Sequence, residues 1–173
     1  EQDSTLLIPR ARFSRTVADN RLNTSRGHQI SFGVGVASQN VLSDTDLLQL
    51  DIRGKRVDTL SERWRLLTRA ELGLTLVDSV DDLPATMRFY AGGDSSVRGY
   101  DYQSLGPQGS DGDVIGGRYL MTGSVEVDYL IREKWRVAAF IDTGNAFDDM
   151  NTELKTGAGF GARWQSPVGP VRL

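Results

Sequence analysis

Residues 64–77 read Trp-Arg-Leu-Leu-Thr-Arg-Ala-Glu-Leu-Gly-Leu-Thr-Leu-Val. Taken alternately, Trp64, Leu66, Ala70, Leu72, Leu74 and Leu76 fall on one side, and Arg65, Arg69, Glu71, Gly73 and Thr75 on the other. Period two is the signature of a β-strand with two unlike faces. The run is generous for a soluble strand, and its polar face is ionic. A strand that crosses a bilayer needs only about 9–11 residues, apolar toward lipid and polar toward a wet lumen.

The same rule recurs on both sides. Between 28 and 38, Ile30, Phe32, Val34 and Val36 oppose Gln29, Ser31, Gly33 and Gly35; between 47 and 55, Leu48, Leu50 and Ile52 oppose Gln49, Asp51, Arg53 and Lys55, with Leu47 the exception. Val125, Val127, Tyr129 and Ile131 oppose Ser124, Glu126 and Asp128. Trp135, Val137, Ala139 and Ile141 oppose Arg136, Ala138, Phe140 and Asp142, before Gly144-Asn145 opens a loop. From 154 to 165, Ala158, Phe160, Ala162 and Trp164 oppose Lys155, a stripe of glycines at 157, 159 and 161, Arg163 and Gln165, and a turn at 166–170 starts a last strand. The fold class predicted is all-β, with about eight strands. Long connections near 39–44, 78–117 and 144–153 interleave with tight ones near 58–62, 132–134 and 166–170, as in outer-membrane barrels, whose periplasmic turns are short. The link at 15–27 is long for such a turn. A soluble eight-stranded barrel of the lipocalin kind is the competitor, but the charges on Arg65, Arg69, Glu71, Glu126, Asp128, Arg136 and Asp142 suit a wet lumen better than the outside of a greasy core.

Composition narrows the function classes. The chain has 173 residues, 20 basic and 23 acidic, and an isoelectric point near 5.2, which offers no basic stripe for nucleic acid. It has no cysteine and a single histidine, His28, so thiolate metal sites, thiol nucleophiles and histidine triads have no residues to build them. The mean hydropathy of −0.34 is compatible with a membrane barrel, because alternation averages each strand toward zero. Gly157-Ala-Gly-Phe-Gly-Ala162 lies in a strand pattern and opens no helix, so close strand packing explains it better than a dinucleotide loop. Asp111-Gly-Asp113 lacks a full calcium-loop ligand set, Asp148-Asp149 reads as a solvated loop, and His28 marks a strand start. No cofactor is expected and no enzyme activity, since no nucleophile and base pair on a loop.

Residues 89–102, Phe-Tyr-Ala-Gly-Gly-Asp-Ser-Ser-Val-Arg-Gly-Tyr-Asp-Tyr, place one cation, Arg98, among glycines and aromatics. Gly92, Gly93 and Gly99 permit backbone angles closed to other residues, so the segment can present Arg98 at a fixed place.

At Val97-Arg98-Gly99-Tyr100 the chain resembles the BamA/TamA superfamily of outer-membrane assembly and secretion barrels, whose signature is a Val-Arg-Gly-aromatic motif on a long loop folded into the lumen. Phe89 to Asp94, Gly123 to Glu126, the Asp-x-Gly strand motif Phe140 to Gly144, and Trp164 to Pro170 agree in order and spacing. The likeness is best with TamA-like members, through residues 98–107, 155–164 and Leu7-Ile8-Pro9. It implies that residues 1–173 are part of a C-terminal, sixteen-stranded transmembrane barrel, with the last strand and the periplasmic POTRA repeats absent. It also implies a latch in which Arg98 meets Glu126 and Asp142 on the wall, with Gly92, Gly93, Asp94, Val97, Gly99 and Tyr100 shaping the loop and Phe140 and Gly144 the strand. Implied partners are a TamB-like inner-membrane-anchored periplasmic protein, client outer-membrane proteins and outer-membrane lipid. The implied role is assisting insertion or secretion of β-barrel and autotransporter proteins, with a BamA-type assembly barrel, a two-partner secretion transporter and a passive pore as alternatives.

Overall fold

The computed structural model describes residues 7–20, 24–40, 43–80, 82–166 and 169–172. They form one antiparallel sheet in sequence order, β1 (Arg10–Ala18), β2 (Gly27–Ala37), β3 (Leu47–Thr59), β4 (Trp64–Val77), β5 (Tyr119–Arg132), β6 (Trp135–Phe147), β7 (Lys155–Ser166) and β8 (Gly169–Arg172). A single 3₁₀ turn, Ala85–Met87, interrupts the long connection between β4 and β5. No described helix is long and apolar enough to cross a membrane. Strands β1 to β7 run 9 to 14 residues, the length that crosses a bilayer at a tilt.

Exposure follows the alternation but inverts the usual sense of inside. On β5, Ser124, Glu126 and Asp128 are buried whereas Met121, Val125 and Ile131 are exposed. Phe160 on β7 is 92% exposed, and Asp142 on β6 is wholly covered. The apolar face is bare, as a face bathed in hydrocarbon must be, and the polar face is covered on β5 and β6.

The main cover is the β4–β5 connection. Its apolar residues Ala91, Val97 and Leu105 pack with Leu120 and Ala146 of β5 and β6, while Leu83 joins Ala37 and Leu47 in a second cluster. Leu47, which broke the alternation, stands on the polar parity of β3 because that end of the strand lies beneath the loop.

Several boundaries differ from the sequence reading. β1 continues to Ala18, so the link before β2 shrinks to residues 19–26 and is closed by the Asp19 carboxylate, which accepts backbone N–H bonds from Asn20, Ser25 and Arg26 at 2.9 to 3.1 Å. These bonds hold the Asp19 carboxyl below its ordinary value. Gly144-Asn145 does not open a loop. β6 pairs with β5 as far as Phe147, and a Cβ at Gly144 would stand 2.5 Å from the Met121 carbonyl, so the glycine admits a close strand. In the turn before the last strand, residues 167 and 168 lie outside the described residues, and Gly169 and Pro170 already pair with Ser166 and Gln165. Proline is tolerated there because β8 is an edge strand among those described.

Candidate functional site

The loop reverses direction at Gly92, Gly93 and Gly99, whose φ angles of 101°, 93° and 92° lie in the left-handed region. Glycine occupies it without the clash that a Cβ would make. The Gly93 N–H donates to the Tyr100 carbonyl at 3.0 Å, which closes the segment into a short lobe. Val97 points into the apolar cluster with no exposed surface, and the next residue, Arg98, points at the sheet.

Arg98 is held from four directions. Its Nε and Nη2 donate to the two carboxylate oxygens of Asp142 at 2.6 and 2.8 Å. Nη1 donates to Glu126 Oε2 at 2.7 Å and Nη2 to Ser124 Oγ at 3.2 Å. The Arg98 backbone N–H adds a bond to Asp142 Oδ2 at 3.0 Å. The guanidinium carbon lies 3.4 Å from the centre of the Phe140 ring, a cation–π stack. A planar fork with five donors fits this set, and an ammonium could not reproduce it. Burial works against the guanidinium's charge, and the bonds it donates to Asp142 and Glu126 more than offset that, so its pKa is raised.

Two glycines let the loop come this close. A Cβ at Gly157 on β7 would stand 2.0 Å from the Arg98 carbonyl oxygen, and one at Gly73 on β4 would stand 2.6 Å from the Phe89 ring. Gly157 is therefore the loop's seat on β7. Phe140, under the guanidinium, is itself accommodated by Gly159.

Arg98 is one of five arginines around three buried carboxylates. Arg69 of β4 donates to the loop carbonyls of Asp94 and Ser96 at 2.8 and 3.1 Å and to Asp142 at 3.3 Å. Asp128, with no exposed surface, accepts from Arg65 at 2.6 Å, Arg136 at 2.8 Å and Arg163 at 3.4 Å. Arg163 also pairs with Glu126. Each buried carboxylate thus meets at least two guanidinium groups, which is how buried charge is tolerated.

The structure therefore brings Arg98, Glu126 and Asp142 together, with Phe140 beneath them. Gly92, Gly93, Gly99 and Val97 shape the lobe, and Asp94 contributes its carbonyl. Tyr100 packs against the apolar cluster, its hydroxyl 3.5 Å from the Thr156 carbonyl. Gly144 stands apart, opposite Thr122 and Lys155 in the ladders. The sequence reading did not assign Arg69 its grip on the loop. The only signal was a cation on the polar parity of β4, and the carbonyls it meets are fixed by the loop's path. Asp148 and Asp149 are turn organisers, accepting the N–H groups of Arg118 and Asn151 at 2.7 and 3.0 Å. Among the described residues no group of histidine, aspartate and glutamate is arranged to hold a metal.

Comparison with known proteins places this geometry. The profile of the Omp85 superfamily domain matches residues 2–173. The outer membrane protein assembly factor BamA of Nitratidesulfovibrio vulgaris is 26% identical across the whole chain, which spans 23% of that protein's length. The sorting and assembly machinery component 50 homolog B of Xenopus laevis is 38% identical over 66 residues, 37% of this chain and 14% of that protein. BamA from Haemophilus ducreyi lacking POTRA domains 1–3 superposes with a TM-score of 0.70 and 23% identity, over 92% of this chain and 37% of the solved one. That likeness shows a shared fold, a stretch of antiparallel barrel wall.

Proposed function

Since the chain belongs to the Omp85 superfamily, we propose that it builds part of the wall and the lumen loop of an outer-membrane factor that helps insert or secrete other β-barrel and autotransporter proteins. Its location is the bacterial outer membrane, and its bare apolar face is the surface that meets lipid. The observation that carries the functional reading is the Arg98 lobe, a loop riveted to the polar wall by a forked ion pair in which Asp142 is fully covered. The latch fixes the loop in the lumen, and the work is done by positioning rather than by a reaction. Incoming strands would be templated by unpaired backbone donors and acceptors at a weakly closed seam of the whole barrel. The finer assignment is a TamA-like factor acting with a TamB-like periplasmic partner, supported by the motif agreements at residues 98–107 and 155–164. A BamA-type assembly role is the second reading, favoured by the relative that matches along the whole chain.

The test is to purify the intact parent from native envelopes in mild detergent and identify what accompanies it, then to deplete it and follow assembly of outer-membrane clients. A large inner-membrane-anchored partner supports the TamA-like role, and a set of small lipoproteins the BamA-type role. Unaffected client assembly with steady ion conductance in planar bilayers would overturn both in favour of a passive pore.

A further inference from the structure

The outward face of the sheet changes character from one side to the other at its tight-turn end. On β4 to β7 that end carries Trp64, Tyr129, Trp135 and Trp164. Trp64 and Tyr129 pair across strands with ring centroids 4.7 Å apart, and Trp135 and Trp164 stack at 6.3 Å. Such rings settle where headgroups meet acyl chains. On β1 to β3 the same end of the same face carries Arg15, His28, Arg56 and Asp58 instead. The apolar run of β3 ends at Ile52 and that of β2 at Ile30. In the ladders His28 stands opposite Arg56 and Val17, and Arg15 stands opposite Ile30, one row further in.

This patch is exposed and net basic. Arg56 forks onto Asp58 through Nε and Nη2 at 2.6 and 2.9 Å, and Arg26, from the β1–β2 connection, acts electrostatically on the same carboxylate. With Asp19, which accepts the Arg26 N–H, two carboxylates stand near the three cations Arg15, Arg26 and Arg56, with His28 between them. A bare cation on a lipid-facing strand is costly toward the middle of the bilayer and tolerated near the interface. There an anion can meet it.

We propose that Arg15, His28 and Arg56 bind the phosphate of an anionic phospholipid at the tight-turn end of the barrel. Charge complementarity selects the occupant, since the patch holds a surplus of cations on a face turned to lipid. The aromatic row beginning at Trp64 on the neighbouring strand sets the depth of the headgroup layer. Beside the patch the outward row of Gly54, Ala70 and Gly123 is shallow, with no atom within 4 Å of a Cβ built at Gly54 or Gly123, which leaves room for an acyl chain. The proposal rests on the membrane location and is independent of any assembly activity.

The experiment uses the intact parent in mild detergent, offered phosphatidylglycerol or phosphatidylcholine with the same acyl chains, with retained lipid counted by native mass spectrometry. The native protein is expected to favour phosphatidylglycerol, and the pair Arg15→Gln, Arg56→Gln to reduce that preference by about fivefold for each cation removed. Arg15→Lys, Arg56→Lys should keep it, and heat-modifiable gel mobility reports whether each barrel is folded. Equal retention of the two lipids by the native protein overturns the proposal whether or not the glutamine variant folds, as does an unchanged preference in a folded glutamine variant. Displacement of the lipid by millimolar inorganic phosphate would assign the patch to free phosphate. A photo-crosslinker at position 28 that traps protein rather than phospholipid in native envelopes would assign it to a protein contact. Either result overturns it.

Discussion

The polar wall carries the same chemistry twice. On β1 to β4, Arg12, Asp51, Arg53 and Glu71 form cross-strand ion pairs at 3.0 and 2.7 Å, with both arginine side chains about half exposed. On β4 to β7, Asp142 pairs at 2.6 Å with Arg98 of the loop and Asp128 at 2.6 Å with Arg65, and both carboxylates are fully covered, Asp142 by the loop and Asp128 by its ring of arginines. Distances hardly differ, and solvent access does. An open pair is screened and gives back most of its Coulomb energy in side-chain entropy. A covered pair adds little net stability when complete, yet breaking it strands a charge with no water to take its place. The loop turns an ordinary wall of ion pairs into a lock that resists the loss of a single member.

The largest effect expected from breaking that contrast is at Arg98. Arg98→Ala in the intact parent leaves Asp142 with a lost fork and should cost about 3–5 kcal/mol locally, releasing the loop to protease while the barrel still folds. Unchanged limited proteolysis would sink the latch. Next comes the seat: Gly157→Val puts a side chain where the Arg98 carbonyl lies and should cost about 1–3 kcal/mol, with the same proteolytic signature. Its control, Gly54→Val, enters open space on the outward face and should change thermal stability by less than about 0.5 kcal/mol. On the open side, Arg53→Ala should cost no more than about 1 kcal/mol and lose even that in high salt. A drop as large as that of Arg98→Ala would erase the distinction between the two walls.

The smallest effect is at Asp19, where backbone donors meet a carboxylate with no burial. Its folded pKa lies below the ordinary 3.8, so its contribution is fully present above that value and fades as pH falls through the folded one. Amide exchange at Ser25 and Arg26, corrected for the intrinsic pH dependence, should stay slow from neutrality to about pH 4 and quicken below. Asp19→Asn should exchange faster than the native chain at neutral pH.

The strands were legible because lipid on one side and water on the other force an alternation that no soluble core imposes so regularly, as β4 illustrates. The meeting of Arg98 with Glu126 and Asp142 was legible through resemblance, since nothing in local spacing joins residues 28 and 44 positions apart. Asp128 and its three arginines were visible as charges of the correct parity. Which guanidinium reaches which carboxylate depends on ladder register and on the cover above, and neither is written in any one strand. The end of β6 was misread because Gly144-Asn145 looks like a turn, although the glycine serves the approach of β5.

The loop is also a matter of geometry. It is tied to β3 where Gln49 donates to the Met87 carbonyl at 2.8 Å, to β4 through Arg69, to β5 and β6 through the Arg98 fork, and to β7 at Thr156. Five consecutive strands of a curved wall are thus joined by one segment running across their concave side, as a chord joins points on an arc. A chord of fixed length sets the radius of its arc, so this part of the wall cannot flatten or tighten while the Arg98 fork holds, and any change in the bore must be taken up by strands that the loop does not touch.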